Sequence, residues 1–322
     1  SFAAGVLPRL HGVIVELADT LLAETYFDGA DERWGDPLGV RQHGPDTLHD
    51  LRSVTKSVVG LLYGIALARG EVPAPHEPLY AQFPDYSDLA QEPGRDAILV
   101  GHALSMQMAL EWNEDLPYSD TRNSEIAMEY APDRYRYVLE QPIVQAPGQS
   151  WTYSGGATAL IGKMISDGAG MPLDAFAKKH LFDPLGITEV EWIAGQDGVP
   201  SAASGLRLVL PDLVKIGRMV AQDGVYGGQQ IVPKDWLERS FQSRATLDEY
   251  TKYGYLWYLG GTPDNIVAFA AGNGGQRLTV QPKVDLVVAS LAGNYNQPEA
   301  WRLPLKIVLE FVVPEAQRIL DR

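Results

Sequence analysis

Residues 47–70 read TLHDLRSVTKSVVGLLYGIALARG, and the interpretation of the whole chain starts from this stretch. From Val54 onward, apolar residues recur at steps of three and four, which is typical of a largely buried helix: Val58, Leu61, Leu62, Ile65 and Ala66. Gly70 marks the end, because glycine readily adopts the backbone conformation that terminates helices. A short extended segment is predicted just before the helix.

Ser53 and Lys56 stand at the start of this helix, one turn apart and therefore on the same face. A serine hydroxyl becomes a good nucleophile only when a neighbouring group takes its proton, and a buried amine can do this. The ordinary interpretation is a helix cap followed by a solvated lysine, and chance gives about 0.4 such pairs in a chain of this composition. Because no charged residue lies between Lys56 and Arg69, a buried lysine and a catalytic pair are favoured.

The composition indicates a globular protein with an acidic surface. At 322 residues and 35.2 kDa, the chain suits one large domain or two intimate ones. Its formal net charge of -15 disfavours nucleic-acid and membrane-surface partners, so we expect a small-molecule partner and leave the oligomeric state open. With no cysteine, disulfides, thiol nucleophiles and thiolate metal sites are excluded.

The sequence contains no apolar run of the length that a membrane-spanning helix needs. Its first residues also lack the basic and apolar regions of a signal peptide. We therefore expect a soluble protein, and both a cytoplasmic and a periplasmic or secreted location stay open.

The order of predicted elements indicates an α+β fold. Residues 12–27 predict a hairpin around Ala18-Asp19, and a polar connection over 28–46 follows it. Helices are then predicted at 97–108, 124–130, 134–139, 157–168 and 175–181. The last part predicts a helix at 211–222, strands at 253–259, 265–271, 278–281 and 286–291, and a helix at 301–313.

Strands at both ends of the chain imply that the outer segments share one antiparallel sheet flanked by helices. We therefore expect a sheet domain formed by residues 1–74 and 201–322. A mainly helical domain, residues 75–200, would be inserted into it, with the active site between the two.

Two further stretches could complete a site around Ser53. Residues 151–156 read WTYSGG before a predicted helix, so Tyr153 lies in a glycine-rich turn that could place its hydroxyl in a cleft. Residues 272–276 read GNGGQ at the start of a strand, where absent side chains let a substrate approach backbone N–H groups. Taken singly, the tyrosine is most often a packed residue with an exposed hydroxyl, and the glycines are most often a turn.

Three motifs follow one another along the chain: Ser-x-x-Lys, then Tyr-Ser-Gly about 100 residues later, then a Gly-Gly edge strand. This order resembles the serine β-lactamase and penicillin-recognising fold family, on its class C and carboxylesterase side. The branch that contains 6-aminohexanoate-dimer hydrolase is the most similar. The segments that carry the resemblance are LRSVTKSVVGLL (51–62), LSMQMALEWNED (104–115), APGQSWTYSGG (146–156), LFDPLGI (181–187), SGLRLVLPDLVKIGRMVAQDG (204–224) and GNGGQRLTV (272–280).

The resemblance implies that Ser53 is the acylating nucleophile and that Lys56 and Tyr153 handle its proton. Tyr153 would relay this proton to the leaving group, and whether the base is Lys56 or a tyrosinate stays open. The backbone N–H groups of Ser53 and Gln276 would form the oxyanion hole. Substrate contacts would come from Tyr118, Ser154, Asn273, Gly274 and Gly275.

Departures from the family pattern bear on the substrate. Asn273 stands where β-lactamases carry Lys or His, so the cation that engages a substrate carboxylate is absent. Gly155 stands where they carry Asn, and Ser154 partly replaces the lost amide. Tyr118 resembles a tyrosine that contacts an amide leaving group in the dimer-hydrolase branch. We therefore expect a serine hydrolase for an ester or short amide; the alternatives are a β-lactamase or D,D-peptidase, or a catalytically silent ligand-binding member of the fold.

Other enzyme classes are disfavoured by their missing motifs. The G-x-S-x-G elbow of the α/β-hydrolases is absent, and so is a Gly-rich phosphate loop. The six histidines show no H-E-x-x-H or comparable spacing, so they are interpreted as surface or capping residues. We expect neither a metal nor a cofactor.

Overall fold

The structure, a computed structural model, describes residues 9–321. Its strands are β1 (Leu10–Leu17), β2 (Thr20–Tyr26), β3 (Gly29–Arg33), β4 (Asp36–Arg41), β5 (His49–Asp50), β6 (Val190–Trp192), β7 (Leu206–Leu208), β8 (Val225–Tyr226), β9 (Gln229–Gln230), β10 (Ala245–Thr246), β11 (Lys252–Tyr253), β12 (Tyr258–Thr262), β13 (Asn265–Ala271), β14 (Arg277–Gln281) and β15 (Leu286–Ala292). One antiparallel sheet contains eight of these strands, in the order β10-β11-β12-β13-β14-β15-β1-β2. A smaller sheet has the order β5-β7-β6.

The two ends of the chain meet within the large sheet, where β1 pairs with β15 on one side and with β2 on the other. The β1–β2 turn contains Ala18 and Asp19, whose φ angles of 47° and 60° suit the twist of a tight hairpin. The predicted α+β class, the opening hairpin and the antiparallel sheet shared by the outer segments are therefore confirmed.

Residues 28–46 contain a second hairpin, β3–β4, where the sequence predicted only a polar connection. It turns at Trp34 and Gly35, with φ angles of 50° and 100°. The prediction was wrong because β4 is almost entirely exposed, so no alternation of apolar and polar residues marks it as a strand.

The helices are α1 (Val54–Ala68), α2 (Ser87–Ala90), α3 (Val100–Leu104), α4 (Ser124–Tyr130), α5 (Arg134–Leu139), α6 (Gly155–Ala169), α7 (Leu173–Ala177), α8 (Leu210–Ala221), α9 (Lys234–Ser240), α10 (Arg302–Lys306) and α11 (Val313–Leu320). Helices α7 and α10 continue into π-helical segments, Lys178–Phe182 and Ile307–Val312. Short 3₁₀ turns occur at Tyr80–Gln82, Pro84–Tyr86, Arg95–Ala97 and Pro282–Val284. Helices α4 and α5 occupy the predicted residues, and α6 and α8 differ from the prediction by at most two residues at either end.

Two predicted elements are shorter than their sequence patterns indicate. The helix predicted at 97–108 is confined to α3, because Met106 and Ala109 have φ angles of 60° and 63°, which a right-handed helix does not accommodate. The strand predicted at 253–259 is divided between β11 and β12 by Leu256, whose φ angle is 57°.

Helix α1 lies at the centre of the hydrophobic core. Every residue from Val54 to Ala66 is buried, and the helix packs against α6, α9 and β13. Trp236 of α9 donates its indole N–H to the carbonyl of Gly60 at 2.8 Å, and its ring lies directly over Gly64. The start of α1, and with it Ser53, is therefore held in place by packing on several sides.

The large sheet is covered on both faces. Helix α8 lies on one face, with Gly217 pressed against Val287 and Leu278, and the C-terminal helices α10 and α11 cover the other face around β1 and β15. The division into a sheet domain and a helical domain at residues 75–200 stays a prediction. Within residues 9–321, no helix has both the length and the apolar character needed to cross a bilayer.

Substitution of Gly64 tests the packing that holds α1. A Cβ atom there would lie 2.0 Å from Cδ1 of Trp236, so Gly64→Ala should lower the free energy of unfolding by about 1–3 kcal/mol, despite alanine's higher helix propensity. Urea unfolding followed by tryptophan fluorescence measures this. Gly44→Ala, at a position with no neighbouring atom within 4 Å, is the control and should change it by at most about 0.5 kcal/mol. Equal stability of the two variants would contradict the packing described.

Candidate active site

Ser53 follows a strained residue that is held by ion pairs. Arg52 has a φ angle of 49°, which is uncommon for a residue with a side chain. The Asp50 carboxylate forms an ion pair with Arg52 Nε at 3.0 Å. The same carboxylate is held in turn by Arg207 Nε at 2.8 Å. Asp50 also accepts a hydrogen bond from the backbone N–H of Trp34 at 2.6 Å. These contacts fix the turn that presents Ser53 at the entrance of α1.

The Lys56 ammonium is buried beside Ser53. The residue is 1% exposed, and its Nζ lies 3.1 Å from Ser53 Oγ, 3.0 Å from the carbonyl oxygen of Ala203 and 3.4 Å from Glu125 Oε2. An ammonium group has three N–H donors and no acceptor, and each of these three oxygens can accept one hydrogen bond. The arrangement therefore matches a charged lysine in the resting site.

Tyr153 completes the group of three side chains. Its phenol lies close enough to Ser53 for the serine to lower the phenol's pKa slightly against the effect of burial, and Lys56 Nζ lies 4.8 Å from its ring centroid. Burial raises the pKa of Tyr153 well above its usual value, so the phenol keeps its proton at neutral pH. The ring packs between Trp151 and Tyr258, with centroid distances of 5.9 and 6.5 Å, which limits its movement.

The glycine-rich segment runs alongside the residues that precede Ser53. A Cβ atom on Gly272 would lie 2.6 Å from the carbonyl oxygen of Leu51, so the two backbones touch. Gly274 and Gly275 have φ angles of 151° and 94°, and Cβ atoms there would lie 2.7 Å from Tyr295 and 3.2 Å from Ala292. Gln276 is fully buried and donates from its side chain to the carbonyl of Ala292 at 2.9 Å, which fixes the start of β14.

A cleft of about 610 Å³ opens in front of Ser53. Tyr118 and Asn273 line it, and the amide of Asn273 is hydrogen-bonded to Asn296 at 2.8 Å. Ser154 has a different position: it is buried, and its hydroxyl accepts a hydrogen bond from the N–H of Ala157 at the start of α6. Ser154 is not among the residues that line the cleft, so a substrate contact by this residue stays a prediction.

Glu114 is a site residue that the sequence reasoning did not single out. The residue is only partly buried, but its carboxylate is enclosed, accepting hydrogen bonds from Trp112 Nε1 at 2.6 Å, the N–H of Gly155 at 2.5 Å and Tyr118 OH at 3.1 Å. Burial, together with the nearby charge of Glu125, raises the pKa of Glu114 to about 8. Glu114 is therefore largely neutral at pH 7.

Glu125 is the second carboxylate missing from the sequence interpretation. It is 3% exposed, and its Oε1 accepts a hydrogen bond from Ser204 Oγ at 2.8 Å. A Cβ atom on Gly155 would lie 2.6 Å from Glu125 Oε2. The glycine that replaces the family's asparagine thus provides the space that this carboxylate occupies.

Three of the six histidines form a buried cluster, which corrects their interpretation as surface or capping residues. His11, His43 and His49 are at most 7% exposed, and burial lowers the pKa of His11 to about 3 and that of His49 to about 4. Their nearest ring nitrogens lie within 4.8 Å of one another, but His11 and His43 stack with planes 15° apart. Because nitrogen lone pairs lie in the ring planes, these two do not converge on one metal ion. His102 does cap a helix, accepting from the N–H of Leu99 at 3.1 Å.

Comparisons with known proteins bear on this geometry. The 6-aminohexanoate-dimer hydrolase of Paenarthrobacter ureafaciens is 23% identical over 271 residues, which cover 77% of this chain and 67% of the relative. Esterase EstB of Burkholderia gladioli is 25% identical over 207 residues, which cover 57% of this chain and 50% of the relative. In fold, the chain is similar to EstCE1, a hydrolase with promiscuous acyltransferase activity, with a TM-score of 0.73, 15% identity and 92% of each chain covered.

A family model also matches, under the description Beta-lactamase. This match, together with the named relatives, confirms the family resemblance and the predicted enzyme class, a serine hydrolase. Because the match extends from residue 18 to residue 302, the chain belongs to the Beta-lactamase family.

Proposed function

We propose that this chain hydrolyses an ester or short amide through an acyl-enzyme formed on Ser53. The observation that carries the proposal is the 3.1 Å contact between Lys56 Nζ and Ser53 Oγ, at the cleft end of a buried helix and beside the Tyr153 phenol. The relatives named as an esterase and as a hydrolase of 6-aminohexanoate dimer support the two bond types.

In the proposed reaction, Ser53 Oγ attacks the substrate carbonyl carbon while its hydroxyl proton leaves toward the Lys56 amine. The backbone N–H groups of Ser53 and Gln276 then stabilise the negative charge on the former carbonyl oxygen. Tyr153, which keeps its proton at neutral pH, donates it to the departing oxygen or nitrogen. Water subsequently attacks the acyl-enzyme and loses a proton toward the same amine, and Ser53 Oγ takes up a proton as the acid is released. Tyr118 and the Asn273 amide contact the substrate in the cleft, and the bare backbone of Gly274 and Gly275 lets it approach the sheet edge.

The charges in the cleft favour neutral or cationic substrates over anionic ones. Its lining includes the carboxylates of Glu32, Asp36 and Glu125. The Arg52 guanidinium also lines it, but this cation is engaged by Glu32 at 3.1 Å and Asp50 at 3.0 Å. Asn273 offers a neutral amide and no cation. β-Lactams and the peptides cleaved by D,D-peptidases carry a carboxylate, so the cleft disfavours these alternatives.

Replacing the nucleophile tests the proposed chemistry. Ser53→Ala should lower turnover of p-nitrophenyl butyrate by a factor on the order of 10⁶, because the substitution removes the hydroxyl on which the acyl-enzyme forms. Mass spectrometry of the wild-type protein should locate the acyl group on Ser53. Ser57→Ala is the matched control on the same helix, since its hydroxyl donates to the carbonyl of Leu256 at 2.6 Å, and it should retain acylation. Acylation of the Ser53→Ala variant at the wild-type rate would refute the assignment.

A series of p-nitrophenyl esters of equal length tests the charge preference. The neutral hexanoate and the cationic 6-aminohexanoate ester should have kcat/KM values at least about tenfold above that of the anionic adipate monoester, because like charges repel in a partly desolvated cleft. The difference should shrink in high salt. Asn273→Lys should improve the anionic ester selectively. A preference of the wild-type enzyme for the adipate ester would contradict the proposed charge preference of the cleft.

The raised pKa of Glu114 predicts a specific dependence of stability on pH. Between the ordinary pKa near 4.5 and about 8, the folded protein retains a proton that the unfolded chain releases, so the unfolding free energy contributed by Glu114 falls as pH rises. Glu114→Gln, which is neutral throughout, should lose about 1–3 kcal/mol less than the wild type over this window. Urea unfolding at pH 5 to 8 measures the difference. The exposed Glu111, replaced by Gln, should leave the wild-type slope intact.

A further inference from the structure

Resting Ser53 has no obvious base beside it. Lys56 has three oxygen acceptors and is matched to its charged form, which has no lone pair to accept the serine proton. Burial keeps the neighbouring Tyr153 phenol protonated, and Glu114 is largely neutral at pH 7. A route for the Ser53 proton must therefore pass through another group.

Glu125 occupies the position that such a group requires. Its Oε2 is 3.4 Å from Lys56 Nζ, and the same Nζ atom lies 3.1 Å from Ser53 Oγ. Its other oxygen is fixed by the hydroxyl of Ser204 at 2.8 Å, so the carboxylate cannot swing freely. The groups that face it are Lys56 from α1, Glu114 and Tyr118 from the segment before α4, Tyr153 from the segment before α6, and Glu129 one turn along its own helix.

We infer that Glu125 stores the Ser53 proton during acylation and receives it through Lys56. This inference rests on the proposed function, because it concerns the same acylation of Ser53. It assigns the base not to Lys56 or Tyr153 alone but to a carboxylate connected to Ser53 through the amine.

The proton steps balance without a further reactant. A Lys56 N–H bond breaks as an O–H bond forms on Glu125 Oε2, leaving the amine with a lone pair. The amine then takes the Ser53 hydroxyl proton while Oγ bonds to the substrate carbonyl carbon. When the bond to the leaving group breaks, that group takes the Tyr153 proton. The phenolate then regains a proton from Lys56, and Glu125 returns its stored proton to the amine.

Single-turnover acylation by p-nitrophenyl butyrate between pH 5 and 10 tests this route. Glu125→Gln keeps the size of the side chain but cannot accept a proton, so acylation at pH 7 should fall by about 10²–10⁴-fold. The shape of the wild-type pH–rate profile should depend on this carboxylate, because only its ionised form can accept a proton. Glu125→Gln should therefore have a pH–rate profile of a different shape.

Two further variants separate the proton route from a purely structural effect. Glu125→Asp restores a carboxylate, so it should recover the shape of the wild-type profile and at least part of the rate. Glu129→Gln removes a carboxylate of the same helix that is turned to Arg134 at 3.1 Å and Ser201 at 2.9 Å, and it should stay within about threefold of the wild type. Circular dichroism establishes that each variant is folded before its rate is compared.

The outcomes distinguish this inference from the proposed function. If the wild type is acylated on Ser53 and Glu125→Gln reacts within tenfold of it with the same pH profile, Glu125 is only a counter-ion and the inference is wrong. Equal loss in Glu125→Gln and Glu129→Gln would also overturn it, because charge removal alone would then explain the effect. If the wild type is not acylated on Ser53 at all, the proposed function fails, and the inference fails with it.

Discussion

The burial of one cation, the Lys56 ammonium, is the constraint on which the site depends. A charged group removed from water needs acceptors for all its donors, since an unmatched buried charge costs several kcal/mol. Those acceptors come from three places in the chain: Ser53 one turn back on α1, the carbonyl of Ala203 before β7, and Glu125 on α4. The hydrogen bonds of this one ammonium therefore bring together Lys56 and two segments that lie about 70 and 150 residues further along the chain.

The elements that could be predicted from sequence are those whose cause is local. Helix α1 follows from its apolar repeat and its glycine stop, and the first hairpin follows from two β-rich runs around a turn. The β3–β4 hairpin could not be recognised, because its strands are polar and its turn at Trp34 and Gly35 leaves no apolar pattern. The helix expected at 97–108 has the apolar composition of a helix, but Met106 and Ala109 adopt positive φ angles, which composition does not reveal.

The same distinction applies to the site. Ser53 and Lys56 are three residues apart, so their proximity can be read from spacing alone. Tyr153 was a candidate because of its glycine-rich turn, and the family resemblance supplied its role. Glu114 and Glu125 carry no sequence signature of their own, because their role depends on two segments folding against Lys56 and α6. The buried histidine cluster was missed for a similar reason: His11, His43 and His49 lie on separate segments, and no short spacing links them.

The absence of a side chain at Gly155 determines which groups this site can contain. Any side chain at this position would begin 2.6 Å from the Glu125 carboxylate, so an asparagine of the β-lactamase type and the α4 carboxylate compete for one volume. An asparagine can enter this backbone only if the Glu125 side chain moves. Introducing an asparagine amide at position 155 to bind a β-lactam would therefore first require displacing the Glu125 carboxylate. A sequence intermediate between the two arrangements would have neither group correctly placed.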